Sequence, residues 1–386
     1  MSAIETIRSY ADELTAIRRD LHAHPELGLE EVRTAGIVAE KLKSWGIEVH
    51  TGVGKTGVVG VLRKGSGGPA IGLRADMDAL PMDEETNLAW SSRNPGRMHA
   101  CGHDGHTTIL LGTARYLAEH GDFNGTVNFI FQPGEEGMGG ALAMLEDRLF
   151  ERFPCESIYA LHNRSGLDVG KFSIAKGASA AGGAFFDITI TGRGAHGARP
   201  EGSIDPLLTG CHIATALQSI VARNVPPADA AVLSVTKIVS GDAYNVIPQT
   251  AVLSGTCRAF RREVMAQMEE GMRRIAKGVA EGFGATAEVN FRTIFAPLIN
   301  DDAHTDQIAD AAAVLVGDEN VDRNKAPGMG SEDFAFMMEK VPGAYIQVGN
   351  GPGASPHNPG YAYNDEATPY GAAMFATLVE RRLAKG

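Results

Sequence analysis

The sequence has few cysteines and no long apolar run, and both shortages exclude classes of protein. Only 4 of its 386 residues are cysteine, and they stand far apart, unlike the disulfide framework of a small secreted protein. No stretch reaches the roughly 20 apolar residues of a membrane span. The first twenty residues are charged where a signal peptide would be apolar. We therefore expect a cytoplasmic protein with reduced thiols and no membrane partner.

Positive charge is also in short supply. Lysine and arginine number 35 against 47 aspartates and glutamates, which gives a formal net charge of -12. Such an acidic chain is poorly suited to non-specific binding of nucleic acid or anionic membranes, and we expect neither as a partner. The chain is 44% hydrophobic, enough for a substantial core, and its length favours two domains.

Apolar runs alternate with helical patterns at both ends of the chain, which predicts a mainly parallel α/β sheet. The predicted strands are 47–49, 58–62, 70–73, 127–131, 158–161 and 345–348, with two helices before Trp45 and one over 107–119. Residues 185–294 have the order strand, helix, strand, strand, helix, strand of the ferredoxin-like (βαββαβ) unit. We therefore predict an α/β protein whose catalytic domain, 1–182 and 296–386, is interrupted by a smaller ferredoxin-like domain, 183–295.

Residues 99–106 contain three histidines, a cysteine and an aspartate within eight positions. Thiolates and imidazoles bind divalent transition metals, and Cys101 and His103 are close enough in sequence to reach one ion from a turn. Alone, Cys101 would more often be a small buried residue, but the neighbouring histidines and glycines favour a metal site. We expect His99 and His106 to be outer partners or polar loop residues and not ligands.

Carboxylates follow two of the predicted strands. Glu135 and Glu136 are adjacent and would point opposite ways in an extended segment, which suits one on a metal and the other holding a water. An isolated pair of this kind is usually a solvated turn, but this pair follows a buried strand. Asp76 and Asp78 follow another strand, and such carboxylates commonly orient ligating histidines. Strand ends of open α/β sheets converge on one crevice, so we expect these groups to lie close together.

Three isolated histidines are weaker candidates, because a single histidine is more often structural. His162 gains weight from its place at the end of a predicted strand, and His357 from its Gly/Pro-rich loop. His196 lies in the predicted inserted domain and is better placed to reach over a substrate than to bind a metal.

Residues 52–57 match the pattern GxGxxG, but a strand follows where a dinucleotide-binding motif needs a helix. This segment therefore predicts a tight turn between two strands.

Together these motifs resemble the aminoacylase/carboxypeptidase-type zinc-peptidase clan. The similarity is greatest to the branch that contains hippurate hydrolase, N-acyl-amino-acid amidohydrolases and the plant auxin–amino-acid conjugate hydrolases. It covers nearly the whole chain and rests on segments 19–26, 74–81, 99–106, 131–136, 194–200, 245–248, 331–334 and 357–359, which occur in the expected order.

The resemblance implies two divalent metal ions per subunit, zinc or manganese, with nickel or cobalt as alternatives. Five side chains would hold them, with the thiolate as the bridging ligand: Cys101, His103, Glu136, His162 and His357. Glu135 would be the general base and acid, and Asp78, with Asp76 as a second candidate, would support the site from outside.

The resemblance also implies that the inserted domain, 183–295, is a lid or dimerisation domain and that it carries functional residues. His196 would stabilise the oxyanion of the tetrahedral intermediate, within one chain or across a dimer interface. Asn245 would contact the substrate. Arg258 is a candidate for the substrate carboxylate, because a guanidinium can bind a carboxylate through two parallel hydrogen bonds. The assembly implied is a homodimer or a tetramer.

The implied activity is hydrolysis of an N-acyl-amino acid, hippurate-like or with another aryl or alkyl acyl group, to a carboxylate and a free amino acid. Metal-activated water would attack the amide, with Glu135 as the base. Three alternatives remain open from the sequence. These are a dinuclear metal aminopeptidase or dipeptidase of the same clan, a cysteine hydrolase with Cys101 as nucleophile, and a non-catalytic binding module on this fold.

Overall fold

Helices and strands alternate along residues 2–385, which are the residues that the computed structural model describes. The helices are α1 (Ala3–Arg8), α2 (Ala11–Ala23), α3 (Val32–Ser44), α4 (His103–Glu119), α5 (Gly140–Glu146), α6 (Leu149–Arg152), α7 (Pro206–Ser219), α8 (Arg262–Gly282), α9 (Asp302–Val316), α10 (Phe334–Met338) and α11 (Thr368–Arg382). The strands are β1 (Glu48–Val53), β2 (Gly57–Lys64), β3 (Ala70–Asp76), β4 (Gly125–Gln132), β5 (Ser157–Ser165), β6 (Phe172–Ser173), β7 (Gly177–Ala180), β8 (Gly182–Thr191), β9 (Ala195–His196), β10 (Ala231–Val239), β11 (Val246–Ile247), β12 (Thr250–Ala259), β13 (Thr286–Phe295), β14 (Leu298–Asn300), β15 (Val321–Asp322) and β16 (Gly343–Gly351).

Contacts between these elements divide the chain into two units. The first unit runs to Ser179 and resumes at Ile299–Ala326 and again from Asp333. The second, which we call the inserted unit, comprises Ala180–Leu298 and Pro327–Glu332. The functional division into a catalytic domain and a lid or dimerisation domain stays a prediction.

The first unit is built on an eight-stranded mixed sheet with the order β1-β2-β4-β3-β5-β16-β6-β15. Its middle strands β4, β3, β5 and β16 are parallel to one another. The antiparallel pairs are β1 with β2, β2 with β4, and β16 with β6. Residues 54–56 join β1 to β2, so the GxGxxG segment is the predicted turn between two strands.

The central strands are apolar along most of their length because both of their faces are buried. In β4 every residue from 127 to 132 is buried. Helix α4 packs against α2 and α11 next to this sheet. The fully buried side chains of this core include Leu14, Leu73, Phe129, Tyr159 and Phe375. Each such side chain stabilises the fold by about 1.5–3 kcal/mol through burial of apolar surface.

The N-terminal segment forms three helices where the sequence predicts two. The extra break falls between α1 and α2, where Ser9 ends α1. The Ser9 hydroxyl donates a hydrogen bond of 2.6 Å to the carbonyl of Thr6. Serine side chains compete in this way with the helical pattern of backbone hydrogen bonds, and this local effect is invisible to apolar periodicity.

The inserted unit has the predicted ferredoxin-like order β8, α7, β10, β12, α8, β13. Its four strands form an antiparallel sheet with the order β10-β12-β8-β13. Helix α7 begins at Pro206 because Asp205 caps it: the Asp205 carboxylate accepts the backbone N–H groups of Leu207 and Leu208. The core between sheet and helices includes Phe186, Ile188, Leu217, Leu253 and Met268.

Two expectations from composition concern the cysteines and membrane-spanning helices. All four cysteines, Cys101, Cys155, Cys211 and Cys257, are free thiols. Between residues 2 and 385, no helix combines the length and the apolar character needed to cross a bilayer.

Candidate active site and metal centre

The carboxyl ends of β4, β3, β5 and β16 lie along one edge of the first unit's sheet, and polar residues collect there. Asp76 is the last residue of β3, and Glu135 and Glu136 follow β4. His162 lies in β5, and His357 follows β16. Because these four strands are neighbours and run in parallel, their carboxyl ends form one crevice. The structure therefore brings together groups that are far apart in sequence.

Helix α4 starts at His103, four residues earlier than the sequence predicts. Its N-cap is Gly102, with φ of 93°. This backbone conformation favours glycine, and a Cβ here would also lie 2.2 Å from Asn163 Oδ1. The sharp turn at Gly102 places Cys101 and His103 on either side of the helix N-terminus. Cys101 Sγ lies 3.3 Å from His162 Nε2.

Two aspartates hold the histidines of α4. His103 Nδ1 lies 3.1 Å from Asp78 Oδ1, and the other Asp78 oxygen accepts the backbone N–H of Glu136 at 2.9 Å. His106 Nδ1 lies 2.6 Å from Asp76 Oδ1. Since a carboxylate can only accept, Nδ1 of each ring donates to its aspartate. Burial opposes a charge on His103, but the nearby Asp76 outweighs burial and raises the pKa of this ring, so Nε2 of His103 must lose a proton before it can bind a metal.

The donor atoms at the crevice fit divalent metal ions. His103 Nε2 and Glu136 Oε1 are buried and lie 4.0 Å apart, and Glu136 Oε1 also lies 3.1 Å from His357 Nε2. Metal–nitrogen and metal–oxygen bonds are about 2.0–2.2 Å long, so an ion between these two atoms would satisfy both. Two sets of three residues each have their ligand atoms within 4.8 Å of one another: Cys101, His103 and His162, and Cys101, Glu136 and His357.

Cys101 belongs to both sets, and the electrostatics of the cluster follow from its burial and its carboxylates. Burial raises the pKa of the Cys101 thiol. Contact with Cys101 and Glu136 raises the pKa of His357 to about 10. Burial and the nearby His106 lower the pKa of His162 to about 3. A thiol and an imidazolium must lose their protons before they can bind a metal, so proton release accompanies binding.

Glu135 is buried beside this cluster. It accepts the backbone N–H of Asp333 at 3.4 Å, and its ligand atom lies within 4.8 Å of those of His103 and Glu136. Glu135 and Glu136 lie in a turn and not in the extended segment that the sequence suggests. The reason is Gly134 with φ of 57° and Gly137 with φ of 76°, which bend the chain around the two carboxylates.

His162 lies inside its strand and not at its end. The sequence predicts a strand over 158–161, but β5 extends to Ser165. Pairing with the parallel strand β16 continues as far as Ser165 and Gly351, and these backbone hydrogen bonds hold a polar segment in the sheet that no apolar pattern marks.

The three candidates from the inserted unit are placed at two sites of that unit. His196 is exposed and pairs with Val246 across β9 and β11, and the backbone N–H of Gly197 donates to the carbonyl of Asn245 at 2.7 Å. His196 and Asn245 are therefore neighbours. Arg258 lies towards the other end of β12, half-buried, where its guanidinium donates to the carbonyl of Cys257 at 2.9 Å.

Several supporting residues at the crevice escape sequence reasoning. Asn163 Oδ1 lies 2.7 Å from His106 Nε2, and its amide donates to the Tyr361 hydroxyl at 2.7 Å. Arg74 is buried and pairs with Asp76 at 2.7 Å. An amide, a phenol and an arginine form no recognisable metal-binding pattern in sequence. The only indication in the sequence is their closeness to motif residues. Arg74 begins segment 74–81, Asn163 follows His162, and Tyr361 is two positions after segment 357–359.

The whole architecture agrees with a known family. The model of peptidase family M20/M25/M40 matches residues 72–381. The chain belongs to this family. It is 42% identical over 383 residues to hippurate hydrolase of Campylobacter jejuni subsp. jejuni, covering 99% of this chain and 100% of that protein.

Two further relatives fall in the same branch. The IAA-amino acid hydrolase ILR1-like 4 of Arabidopsis thaliana is 39% identical, with 97% of this chain and 86% of that protein covered. The N-acetylcysteine deacetylase of Bacillus subtilis is 38% identical, with 96% and 97% covered. The predicted family branch and the predicted enzyme class, a hydrolase of carbon–nitrogen amide bonds, are confirmed.

A solved structure confirms the fold class. A Bacillus subtilis protein, described as a dinuclear metal-binding peptidase of the M20 family, matches with a TM-score of 0.85 and 36% identity. The match covers 97% of this chain and 99% of that one. The predicted α/β architecture with an inserted ferredoxin-like unit is therefore the family's fold.

Proposed function

We propose that this chain hydrolyses N-acyl-amino acids to a carboxylate and a free amino acid with the help of two divalent metal ions per subunit. The observation that carries the proposal is the cluster around Cys101, where two sets of metal-binding side chains share its sulfur and Glu135 lies close to two of them, His103 and Glu136. The relatives support the substrate class, since the names hippurate hydrolase, IAA-amino acid hydrolase and N-acetylcysteine deacetylase all describe acylated amino acids.

The metal ligands proposed are Cys101, His103, Glu136, His162 and His357. Cys101 is the bridging candidate, because its sulfur takes part in both groups of donor atoms. When bound, the ions would lower the pKa of a water molecule and polarise the amide carbonyl. A ligand set of one thiolate, three imidazoles and one carboxylate favours zinc, while manganese, nickel and cobalt remain alternatives.

Glu135 is the proposed general base and acid. Its carboxylate would take the proton of the attacking water and deliver it to the leaving nitrogen. A well-placed group of this kind contributes about a hundred- to ten-thousand-fold to the rate. The backbone N–H of Asp333 and the turn at Gly134 hold the carboxylate beside the cluster, which supports this role. Asp78 would act indirectly, by orienting His103.

The inserted unit is proposed to supply contacts to the substrate. His196 would donate to the oxyanion of the tetrahedral intermediate, and Asn245, its neighbour, would contact the substrate. Arg258 would bind the substrate carboxylate. Its guanidinium lies beside Gly183, where a Cβ would come within 3.3 Å of it, so the absence of a side chain at this position leaves room.

The surroundings of Cys101 argue against the alternative of a cysteine hydrolase, in which Cys101 would be the nucleophile. Cys101 and His162 are in contact at 3.3 Å, as a nucleophile and its base would be. A nucleophilic cysteine needs a lowered pKa, whereas burial raises the pKa of Cys101. The imidazole of His162, with a pKa of about 3, is a weak base towards that thiol. His357 also contacts Cys101, but it lies 3.1 Å from Glu136 as well. Two histidines and a carboxylate thus surround the sulfur, an arrangement suited to metal ligation.

A homodimer or tetramer acting in the cytoplasm is part of the same proposal. In the inserted unit, β10 is an edge strand of the sheet, and Ile238 and Val239 on it are exposed. An exposed edge with apolar side chains is a surface on which another chain can pair. Light scattering on the purified protein and cell fractionation test the two statements.

The deciding experiment is hydrolysis of a small panel with added Zn²⁺ or Mn²⁺ and with EDTA. The panel is N-benzoylglycine, N-acetylmethionine, indole-acetyl-aspartate and an unacylated dipeptide. We expect metal-dependent cleavage of at least one acylated amino acid and loss of cleavage in EDTA. Cleavage of the dipeptide alone would make the protein an aminopeptidase or dipeptidase. Stoichiometric metal without any turnover would point to a binding module.

A further inference from the structure

Residues 134–141, which we call the catalytic loop, follow β4, carry Glu135 and Glu136, and run into the first turn of α5. We propose that Asp333 is a positioning residue that holds this loop in its active shape. The inference deepens the proposed function and rests on it for its kinetic part, because it concerns how the proposed base Glu135 is kept in place.

Three buried carboxylates accept backbone N–H groups of the catalytic loop. Glu31 accepts the N–H of Gly134 at 2.8 Å, Asp78 that of Glu136 at 2.9 Å, and Asp333 that of Ala141 at 2.9 Å. These carboxylates come from three distant parts of the chain and are at most 1% exposed. The loop is thus fixed at its beginning, its middle and its end.

Asp333 differs from the other two because it also reaches the proposed base. Its backbone N–H donates to Glu135 at 3.4 Å. Its side-chain Oδ1 accepts the amide of Gln132, the last residue of β4, at 2.7 Å. One residue therefore contacts the strand before the loop, the carboxylate in it and the backbone at its end.

Arg74 extends this network to the histidine side of the site. Its guanidinium is fully buried and lies 2.7 Å from Asp76 and 3.4 Å from Asp333. Asp76 in turn holds His106. A buried guanidinium requires opposite charge nearby. Loss of the Asp333 charge would therefore displace Arg74, and it would also weaken the hydrogen bond to the Ala141 N–H at the end of the loop.

The consequence for catalysis is specific. The contacts of Asp333 described above are with Gln132, Glu135, Ala141 and Arg74, and none of these four is a proposed metal ligand. Its substitution should therefore leave the ions bound. It does hold the loop that carries Glu135, and a displacement of about 1 Å in a reacting group can cost about a hundredfold in rate. Asp333 should therefore affect turnover far more than metal content or substrate affinity.

The test compares Asp333→Asn with the wild type under saturating metal. We expect kcat to fall about 10- to 100-fold, as for other residues that orient catalytic groups. KM should change less than about threefold and the metal content should stay at two ions per chain. Asp333→Glu, which keeps the negative charge beside Arg74, should recover part of the lost kcat. An unchanged kcat in Asp333→Asn, or a loss explained by missing metal, would overturn the inference.

The matched control is Glu380→Gln. Glu380 on α11 is a half-buried carboxylate that accepts the backbone N–H of Asp122 at 3.3 Å and the Tyr116 hydroxyl at 3.2 Å. Glu380 thus accepts a backbone N–H group of the loop that follows α4, as Asp333 does for the catalytic loop. We expect this control to keep kcat within about twofold, because it has no contact with the crevice.

Hydrogen exchange separates failure of the inference from failure of the proposed function. In Asp333→Asn, peptides that cover residues 134–141 should exchange faster than in the wild type, while peptides that cover residues 120–124, the loop held by Glu380, should not. Glu380→Gln should show the reverse pattern. If the catalytic loop exchanges equally fast in Asp333→Asn and in the wild type, the inference is overturned. This holds even if no acylated amino acid in the panel is a substrate. A wild type without turnover but with the expected exchange would contradict the proposed function alone.

Discussion

His103 and Asp78 are joined through His103 Nδ1 and Asp78 Oδ1 at 3.1 Å, and this contact fixes which face of the imidazole points into the crevice. The same aspartate accepts the backbone N–H of Glu136 at 2.9 Å. Asp78 therefore orients two of the proposed metal ligands at once. In this family fold, ligand geometry depends on a residue that a ligand list would omit.

Substitution of Asp78 by alanine should weaken metal binding. Both His103 and Glu136 would lose their orienting partner, and such changes typically cost 10- to 100-fold in affinity. The measurement is competition with a chromogenic chelator at fixed pH. Asp83→Ala is the control, since Asp83 accepts only the N–H of Gly96 in an exposed turn. Equal metal affinity of the Asp78 variant and the wild type would contradict the proposed arrangement.

Glu135 and Glu136 are neighbours with different proposed tasks, and glutamine at each position tells them apart. Glu135→Gln should nearly abolish turnover, by about a hundred- to ten-thousand-fold, with metal retained. Glu136→Gln should lose metal as well as activity, because an amide is a poorer ligand than a carboxylate. Metal analysis of the dialysed proteins together with initial rates gives both readouts. Substantial activity in Glu135→Gln would remove Glu135 from the role of base.

The sequence predicts the large features of this molecule because they follow from periodicity. The alternation of the strands 70–73 and 127–131 with helical segments identifies the α/β sheet, and the βαββαβ order identifies the inserted unit. Helix boundaries are less certain: α4 begins at His103 and not at 107. The left-handed turn of Gly102 decides this boundary, and apolar spacing does not encode it.

The proposed metal ligands are recognisable in sequence because sulfur, imidazole and carboxylate are rare together. Their supporting residues are not. Arg74 and Asp333 are 259 positions apart in sequence, and an arginine or an aspartate alone suggests only a charged surface. In the structure both side chains are buried and support the candidate site. Burial of a charged residue is decided by the tertiary structure, so the sequence alone does not reveal it.

Two glycines in helices of the first unit should respond oppositely to alanine. At Gly105 in α4, a Cβ would lie 2.3 Å from the ring of Tyr363, whereas Gly36 in α3 has no atom within 4 Å of such a position. Because the Tyr363 ring is buried, Gly105→Ala should lower the free energy of unfolding by about 1–3 kcal/mol. Gly36→Ala should raise it by about 0.5–1 kcal/mol, since alanine is the better helix former. Urea unfolding followed by circular dichroism measures both, and equal midpoints would refute the packing at Gly105.

His22 in α2 is buried between two carboxylates of the same unit. Its Nδ1 lies 2.8 Å from Asp104 and its Nε2 3.3 Å from Glu84. Burial disfavours the charged ring, but Asp104 and Glu84 outweigh that effect and raise the pKa of His22 to about 9. The folded protein thus binds a proton here more tightly than the unfolded chain, whose histidines titrate near 6.5.

This proton makes stability depend on pH in a defined window. The contribution of protonated His22 is complete below about pH 6.5 and disappears as the pH rises through about 9, a loss of about 3 kcal/mol in the free energy of unfolding. His22→Gln should be less stable than the wild type at pH 6 and should lose less stability between pH 6.5 and 9. Urea midpoints at several pH values measure the two slopes, with the exposed His120→Gln as control. If wild type and His22→Gln lose stability in parallel over this range, His22 is not charged in the folded protein, and its contacts with Asp104 and Glu84 must be those of a neutral ring.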